Sequence, residues 1–323
     1  MPSHIRKNSA HALERQVAWA VTLIPLAGFA LAIVRSWGDG FGALELALCL
    51  GFALATTLGI TAGYHRLFTH YSFKADDSVR WALGVLGSMA VQGPLLFWVA
   101  CHRRHHRYSD SSEDPHSPRH GGGGLSGWAR GLWHAHLGWM FHHEAEPWGT
   151  YVPDLLRDDL AYRINRTYPL WVFLGLALPA CLGGLLGGWA RILGGFLWGG
   201  LVRVFLVHHV TWSINSLCHC TGDRPFHTGD DSRNNLVCAV LSLGEGWHNN
   251  HHAFPTSARH GLEWWQFDGT YLVIRGLSAL GLVWDINVPP SGLRERKARR
   301  VQGAAASRRS RDATNSIPQG GRA

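Results

Sequence analysis

The sequence predicts an all-α integral membrane protein, with four transmembrane helices in two hairpins and a helical cap on the cytoplasmic side. Three observations predict it. Long apolar runs alternate with Arg- and His-rich stretches along the 323 residues. Four of the runs come near or exceed the roughly 20 apolar residues a helix needs to cross a bilayer core of about 30 Å. The runs also come in pairs joined by short links. Core helices of a large soluble protein would be shorter and more widely spaced.

Residues 1–16 are a polar, basic N-terminal segment. Residues 17–36 (VAWAVTLIPLAGFALAIVRS) carry no charge before Arg35, and residues 41–63 carry only Glu45; these form the first hairpin. The second joins 168–188, without charge, to 190–209, which holds Arg191 at its start and Arg203 within its apolar stretch. The run at 81–100 is a fifth candidate. Gln92-Gly93-Pro94 interrupts it and it leads straight into HRRHH, so we read one helix packed beneath the membrane domain, not a span. Residues 64–167 and 210–290 form the cap, which makes 17–290 one domain. The tail, 291–323, is basic, rich in small residues and without apolar periodicity, and is expected to be disordered.

No cleavable signal peptide is expected, because the first apolar run is long and lacks a small-residue cleavage site. Lys and Arg crowd 1–16, 64–166 and 221–323, while the hairpin links hold little charge, so both termini and the cap should face the cytoplasm. Part of the net charge of +8 suits anionic lipid headgroups, and the basic tail reads as solvated, not as a nucleic-acid arm. The six cysteines lack zinc-finger or C-x-x-C spacing and are expected to be free thiols.

Eight of the 21 histidines fall in three boxes: His65 and His70 in HRLFTH, His102, His105 and His106 in HRRHH, and His248, His251 and His252 in HNNHH. In H-x-x-H-H the second and third histidines lie one helical turn above the first and straddle its azimuth. One box can aim two imidazoles at one metal and the third at a neighbour, so two facing boxes make a two-metal site. The i, i+5 spacing of HRLFTH does not align on an ideal α-helix. It is expected at a helix end, where the chain unwinds after His65. All-imidazole sets suit iron, zinc, copper or nickel. The H-E-x-x-H pattern of zinc proteases is missing. A His-rich transporter would place its site near the bilayer midplane, whereas these boxes lie at helix ends. Redox metals and dioxygen chemistry near a membrane are the better reading.

Together with GYHRLFTH, DPH at 114–116, HLGW at 136–139, TWSINSLCH at 211–219 and GEGWHNNHHAFP at 244–255, the boxes resemble those of membrane fatty acyl desaturases, specifically the stearoyl-CoA (delta-9) type. The likeness spans roughly 40–285. It implies O2-dependent insertion of a cis double bond into a saturated long-chain acyl group, acyl-CoA first among carriers, at two non-haem irons. Acyl-lipid desaturases, hydroxylases and alkane monooxygenases are the neighbouring alternatives. The resemblance assigns His65, His70, His102, His106 and His252 to one iron. It assigns His105, His219, His248 and His251 to the other, with Asn215 holding a water. It places Gln92, Trp98, Thr211 and Trp212 at a kink in the substrate tunnel, and Cys49 and Ala53 near the tunnel's closed end. Departures from the vertebrate pattern fall on the carrier: Ala100-Cys101 replaces Arg-Asp before the second box, and His142-His143 replaces Arg-Lys after HLGW. With no haem-binding segment in the sequence, a fused cytochrome b5 is not expected, and electrons are expected from a separate ferredoxin, rubredoxin, flavoprotein reductase or cytochrome, which the basic patch Arg103, Arg104 and Arg107 could steer. Asp114 and Glu245 are candidates for orienting imidazoles. The remaining histidines read as packing, surface or substrate-rim residues. A bacterial-type enzyme of the inner membrane is the overall expectation.

Overall fold

The computed structural model describes residues 3–38, 41–142 and 148–298, with the side chains of 3–11 and 142 left aside. Four helices are long and apolar enough to cross a membrane: Ala12–Ser36, Ala43–Thr69, Tyr168–Gly187 and Trp189–His219. The first lies within α1 (Ser3–Ser36) and the second is α2 (Ala43–Leu58) continued as a π-helical segment, Gly59–Thr69. In the cap follow α3 (Asp77–Met89), α4 (Leu95–Tyr108), α5 (Gly124–Trp133) and α6 (Asp159–Arg166). The third span is α7 (Tyr168–Gly187); the fourth includes a π-helical stretch, Phe196–Val202, and α8 (Arg203–Ser216). The cap is completed by α9 (Leu236–Leu241), α10 (His248–Ala253) and α11 (Gly269–Ala279). Lys74–Ala75 and Val283–Trp284 pair antiparallel, the one small sheet among the described residues.

The spans are linked as two hairpins, but α1 packs on the fourth span. A Cβ on Gly28 would stand 2.5 Å from Leu201, and Phe29 stacks on Phe205 with centroids 4.7 Å apart. Without water to drive apolar burial, helices in a bilayer associate through close packing of small residues and through polar contacts. Both are present. Gly59 lies against the Leu86–Gly87 backbone, where a Cβ would meet Gly87 N at 2.1 Å. Arg203, fully buried, donates to the carbonyls of Met89 and Gly175 at 2.6 Å each and to Gly199 at 3.2 Å. A cation inside a membrane domain needs such partners, and here it ties α3, the third span and the fourth together.

The 81–100 run is two helices, not one. α3 ends at Met89 and α4 starts at Leu95, with Val91 at φ +62° and Gly93 at φ +104° between them. Pro94 cannot donate a helical hydrogen bond, and it stands as the extended residue before α4. The expected disordered tail begins instead with a helical segment at 291–298. Arg294 donates to Leu262 O at 2.8 Å and Lys297 to Ala253 O, and Leu293 and Ala298 pack on Phe226, Phe254 and Leu262. Apolar periodicity was too short there to show. Residues 299–323 lie outside the described residues.

Candidate metal centre and adjoining cavity

The first box owes its geometry to a change of helical winding. In the π-helical segment, His70 N donates to His65 O at 3.2 Å, and the Thr69 hydroxyl donates to Tyr64 O at 2.8 Å, each to the residue five positions earlier. Five residues then make about one turn, so His65 and His70 share a face. The chain does not unwind after His65 as the α-helical spacing suggested; it winds more widely. π-turns are rare and concentrate at functional sites.

The second box lies on α4 and the third on α10. α10 is only six residues long, too short to hold its shape alone, and the two asparagines between its histidines clamp it. Asn249 Oδ1 accepts from Phe226 N at 2.8 Å, and its Nδ2 donates to the carbonyls of Phe226 and Ser232 at 3.1 Å each. Asn250 donates to His260 O at 2.8 Å and to Gln266 Oε1 at 2.9 Å. Both are buried, so HNNHH alternates two jobs: histidines inward to the site, asparagines outward to the frame.

Nine histidines converge in two groups: His65, His70, His102, His106 and His251 in one, His105, His219, His248 and His252 in the other. In the first, Nε2 separations are 3.1 Å (His65–His251), 3.2 Å (His70–His102), 3.0 Å (His102–His106) and 2.8 Å (His106–His251). In the second they are 3.0 Å (His219–His248), 3.1 Å (His248–His252) and 3.4 Å (His105–His252). His251 and His252 are thus exchanged relative to the division the resemblance implied. The reason is helical. An i+4 residue lies about 40° from its reference azimuth and an i+3 residue about 60° on the other side, so each i, i+4 pair (His102/His106 and His248/His252) shares a group and the middle histidine crosses to the other.

Carboxylates fix the ring orientations. Nδ1 of His105 meets Asp114 Oδ2 at 2.9 Å, Nδ1 of His219 meets Asp110 Oδ2 at 2.8 Å, and Nδ1 of His252 meets Asp230 Oδ2 at 2.8 Å. His65 Nδ1 is paired to Glu245, which also accepts from Arg66 at 2.9 Å. Arg66, fully buried, reaches Asp268 at 3.0 Å and Ala258 O at 2.7 Å. Burial works against ionisation of Asp110, Asp114 and Asp230, yet the neighbouring imidazoles and donated hydrogen bonds hold all three well below the usual carboxylate range. Burial, and then the adjacent imidazoles, hold His70, His102, His106, His248 and His251 well below the usual histidine value. Burial takes His252 to about 4 although Asp230 pulls the other way.

This arrangement fits a metal pair. A carboxylate that accepts from Nδ1–H leaves Nε2 a bare lone pair. Lone pairs of several such atoms pointed at one another at about 3 Å repel, and a cation between them turns repulsion into bonding. Donors on adjacent corners of an octahedron with metal–nitrogen bonds of about 2.1 Å stand about 3.0 Å apart, the spacing seen in both groups.

Against the metal groups lies a cavity of about 440 Å³, bounded by His102 and Asn215 at the metal end. Four expected tunnel residues line it: Gln92, Trp98, Thr211 and Trp212. Three of them form a chain, with Trp98 Nε1 donating to Gln92 Oε1 at 3.3 Å and Gln92 Nε2 to Thr211 Oγ1 at 2.8 Å. Cys49 and Ala53 do not line it. Cys49 is buried among Ala32, Leu197, Leu201 and Val202, and Ala53 packs on the core that includes Ile60 and Leu83; in this structure close packing of α2, α3 and the fourth span fills that space.

A fatty acid desaturase family model matches residues 43–283. The chain belongs to the fatty acid desaturase family. It is 45% identical over 278 residues to the hex-5-enoyl-[acyl-carrier protein] acetylenase of Moorena producens (strain JHB), covering 85% of this chain and 87% of that protein. It is 41% identical over 250 residues to the acyl-CoA C20 Delta5-desaturase of Anemone leveillei, covering 76% and 74%. It is 38% identical over 279 residues to the sn-1 stearoyl-lipid 9-desaturase of Anabaena variabilis, covering 84% and 95%. The protein is therefore an oxidoreductase that desaturates fatty acyl chains, built as an all-α membrane enzyme.

The structure also gives the surroundings of other residues singled out in the sequence. Arg103 is not a free steering charge: it donates to Asp154 at 2.7 Å and to the carbonyls of Tyr151 and Phe68 at 3.0 and 3.1 Å. His116, expected at the surface or the substrate rim, is buried and lines the cavity, and its ring lies 4.5 Å from that of His105. Burial and the neighbouring His105 lower it to about 3. His208 is a packing residue, bonded to Ala90 O at 2.9 Å. His142 and His143 lie outside the side chains described. Sequence reasoning missed Asp110, Asp230 and His260. The first two stand in Ser/Asp-rich loops that read as turns. His260 is buried against His251, centroids 4.6 Å apart, and lies outside any box.

Proposed function

We propose that this desaturase introduces a cis double bond at carbon 9 of a saturated long-chain acyl group, using two irons held by the two histidine groups, with Asn215 contributing through a water. The observation that carries the reading is a cavity bounded by both His102 and Asn215 and lined by the Trp98–Gln92–Thr211 chain. A methylene chain offers no polar handle, so the position of attack must come from shape. When bound, the irons supply dioxygen reduction and the oxidant that removes hydrogen. The chain's own residues do the rest. The carboxylates that meet Nδ1 of His65, His105, His219 and His252 leave those Nε2 atoms free, the apolar walls exclude water, and the tryptophans hold the acyl chain beside the metal groups. In the balance, two C–H bonds break and one C=C bond forms; O2 takes up the two hydrogens removed, two electrons from a donor and two protons, and leaves as two waters. The stearoyl-lipid 9-desaturase relative supports position 9. We place cap and termini in the cytoplasm of a bacterial inner membrane on the Lys/Arg bias, with a separate protein as electron donor.

The test is the double-bond position in total fatty acids of a host that makes no such bond, with and without this chain and a compatible reductase pair. A new cis bond at carbon 9 is expected. A bond elsewhere removes the positional reading, and hydroxylated chains remove desaturation.

A further inference from the structure

HLGW at 136–139 holds no residue of the two histidine groups. Its Trp139 lines the cavity. Its His136, on the π-helical turn His134–Gly138, reaches α8 instead. There Nε2 of His136 meets His209 Nδ1 at 2.9 Å, and Nδ1 meets Ser216 Oγ at 3.0 Å. Residues seven apart on an α-helix differ by only about 20° in azimuth and stand two turns apart along the axis. One imidazole therefore straps two turns of one face of α8. Between its two anchors stands Trp212, a wall of the cavity. The indole is boxed by histidines, with ring centroids at 5.8 Å (His136), 5.2 Å (His209) and 4.9 Å (His208).

The direction of each bond in the strap follows from one carbonyl. Ser216 Oγ lies 2.9 Å from Trp212 O. A carbonyl only accepts, so the one hydroxyl hydrogen goes there. Ser216 Oγ must then accept from His136 Nδ1–H. Burial, then the neighbouring His209, lower His136 to about 4, with the Trp212 carbonyl pulling the other way. The ring is thus neutral near pH 7, and its Nε2 carries a lone pair. His209 Nδ1–H donates to that lone pair. The chain from His209 through His136 and Ser216 runs one way and ends on the main chain of the cavity tryptophan.

We propose that His136 is the positioning residue for Trp212: it straps α8 so that the indole keeps one place on the cavity wall, which fixes the carbon of the acyl chain that stands at the metal groups. His136 does not itself line the cavity, so it acts through Trp212. A methylene chain can register only against shape, and a wall residue that shifts lets the register slip. The role rests on the desaturase reading but not on carbon 9, because whichever bond the parent makes is the reference.

The experiment expresses the full chain and its variants with a compatible reductase pair in a host that makes no such bond. Double-bond isomers are read by mass spectrometry of derivatised esters, beside the metal content and thermal midpoint of the purified proteins. His136→Phe keeps a ring and removes both nitrogens. Ser216→Ala removes the acceptor with a smaller change, and decides the matter where His136→Phe does not accumulate. Each should raise the share of product unsaturated at neighbouring carbons by about 2- to 10-fold, the scale set by one net hydrogen bond, with metal content at the parent's level. Both cut the same chain, so the double variant should do no more than His136→Phe alone. His136→Gln, which keeps a donor and an acceptor, should lie closer to the parent. An isomer pattern unchanged in both single variants overturns the positioning role, as do effects that multiply in the double variant. A fall in metal content or midpoint with the isomer pattern intact makes His136 a structural staple and overturns it too. No unsaturated product from the parent sinks the desaturase reading itself, and the role of His136 with it.

Discussion

Replacing Asp230 with Asn changes one atom and should unload one metal. Asp230 Oδ1 accepts from Ser232 N at 3.0 Å, Ser232 Oγ at 2.5 Å and Thr228 Oγ1 at 2.6 Å, while Oδ2 accepts from His252 Nδ1 at 2.8 Å. Asparagine has one acceptor oxygen. The hydroxyls of Thr228 and Ser232 can rotate away, but the backbone N–H of Ser232 cannot, so the oxygen must stay on that side. The NH2 group then faces His252 Nδ1. An imidazole that must accept at Nδ1 carries its proton on Nε2, the atom that belongs to the group of four. Losing an orienting partner of this kind costs about 10–100-fold in metal affinity, or about 1.4–2.7 kcal/mol at 1.36 kcal/mol per decade. The tautomer inversion puts Asp230→Asn at the upper end. The assay is metal content after timed dialysis against a chelator, read beside desaturation in cells. The expected result is one metal lost with a chelator half-point at least tenfold lower, one metal kept in the five-histidine group, and activity gone. A variant that holds two metals as tightly as the parent would refute the assignment of Asp230 and the tautomer argument behind it.

Four further outcomes follow from the same geometry. His251→Ala and His252→Ala should each abolish desaturation, but X-ray absorption of the residual metal should show loss from the five-histidine group in the first and from the four-histidine group in the second; the opposite pattern would restore the division the resemblance implied. Arg66→Leu removes the buried cation between Glu245 and Asp268, leaving the first with His65 and the second with backbone donors; breaking such a buried pair costs about 3–5 kcal/mol and should lower the thermal midpoint and the metal content together, and a midpoint unchanged would remove Arg66 from the frame. Thr211→Val removes the acceptor for Gln92, a net hydrogen bond of about 0.5–1.5 kcal/mol, and should spread the double bond over neighbouring positions, whereas Ala53→Phe should leave the chain-length profile unchanged because Ala53 is off the cavity. For the metal-free protein, histidines held below the ordinary 6.5 (His252 at about 4, His116 at about 3) bind protons more readily unfolded than folded. Stability should therefore rise with pH across about 4 to 6.5 and fall on acidification through that window; a flat profile in denaturant titrations would mean these imidazoles are not buried neutral.

The spans were legible because an apolar run of about 20 residues has few other uses, and the boxes because eight histidines beside predicted helix ends are hard to place without a metal. What escaped was everything that departs from α-helical periodicity or comes from far along the chain. His65 and His70 read as misaligned only under a 3.6-residue period; the π-helical winding brings them together, and no composition rule marks where such a turn will form. Asp230 sits 22 residues before the histidine it orients, in a loop whose Thr, Gly, Asp and Ser read as a turn and nothing more. Asn249 and Asn250 looked like spacers between ligands, yet they hold a helix too short to stand alone.

The break at residues 90–94 shows the same limit on the wall of the cavity. Gln92-Gly93-Pro94 was visible as a defect in an apolar run, and the pair of helices that replaces the single one follows from Pro94 and Gly93. Val91 does not follow. A β-branched residue at φ +62° is an outlier that costs about 1–3 kcal/mol and persists only where surrounding contacts enforce it. Here the contacts are in hand. Gln92 is held by Thr211 and Trp98, Gly93 N donates to Tyr168 Oη at 3.1 Å, and Leu96 N to Asn165 Oδ1 at 3.0 Å. The strained turn immediately precedes Gln92, which lines the cavity and bonds Thr211 of α8. Relaxing the strain at Val91 would therefore free Gln92 to leave its contacts with Thr211 and Trp98 on the cavity wall.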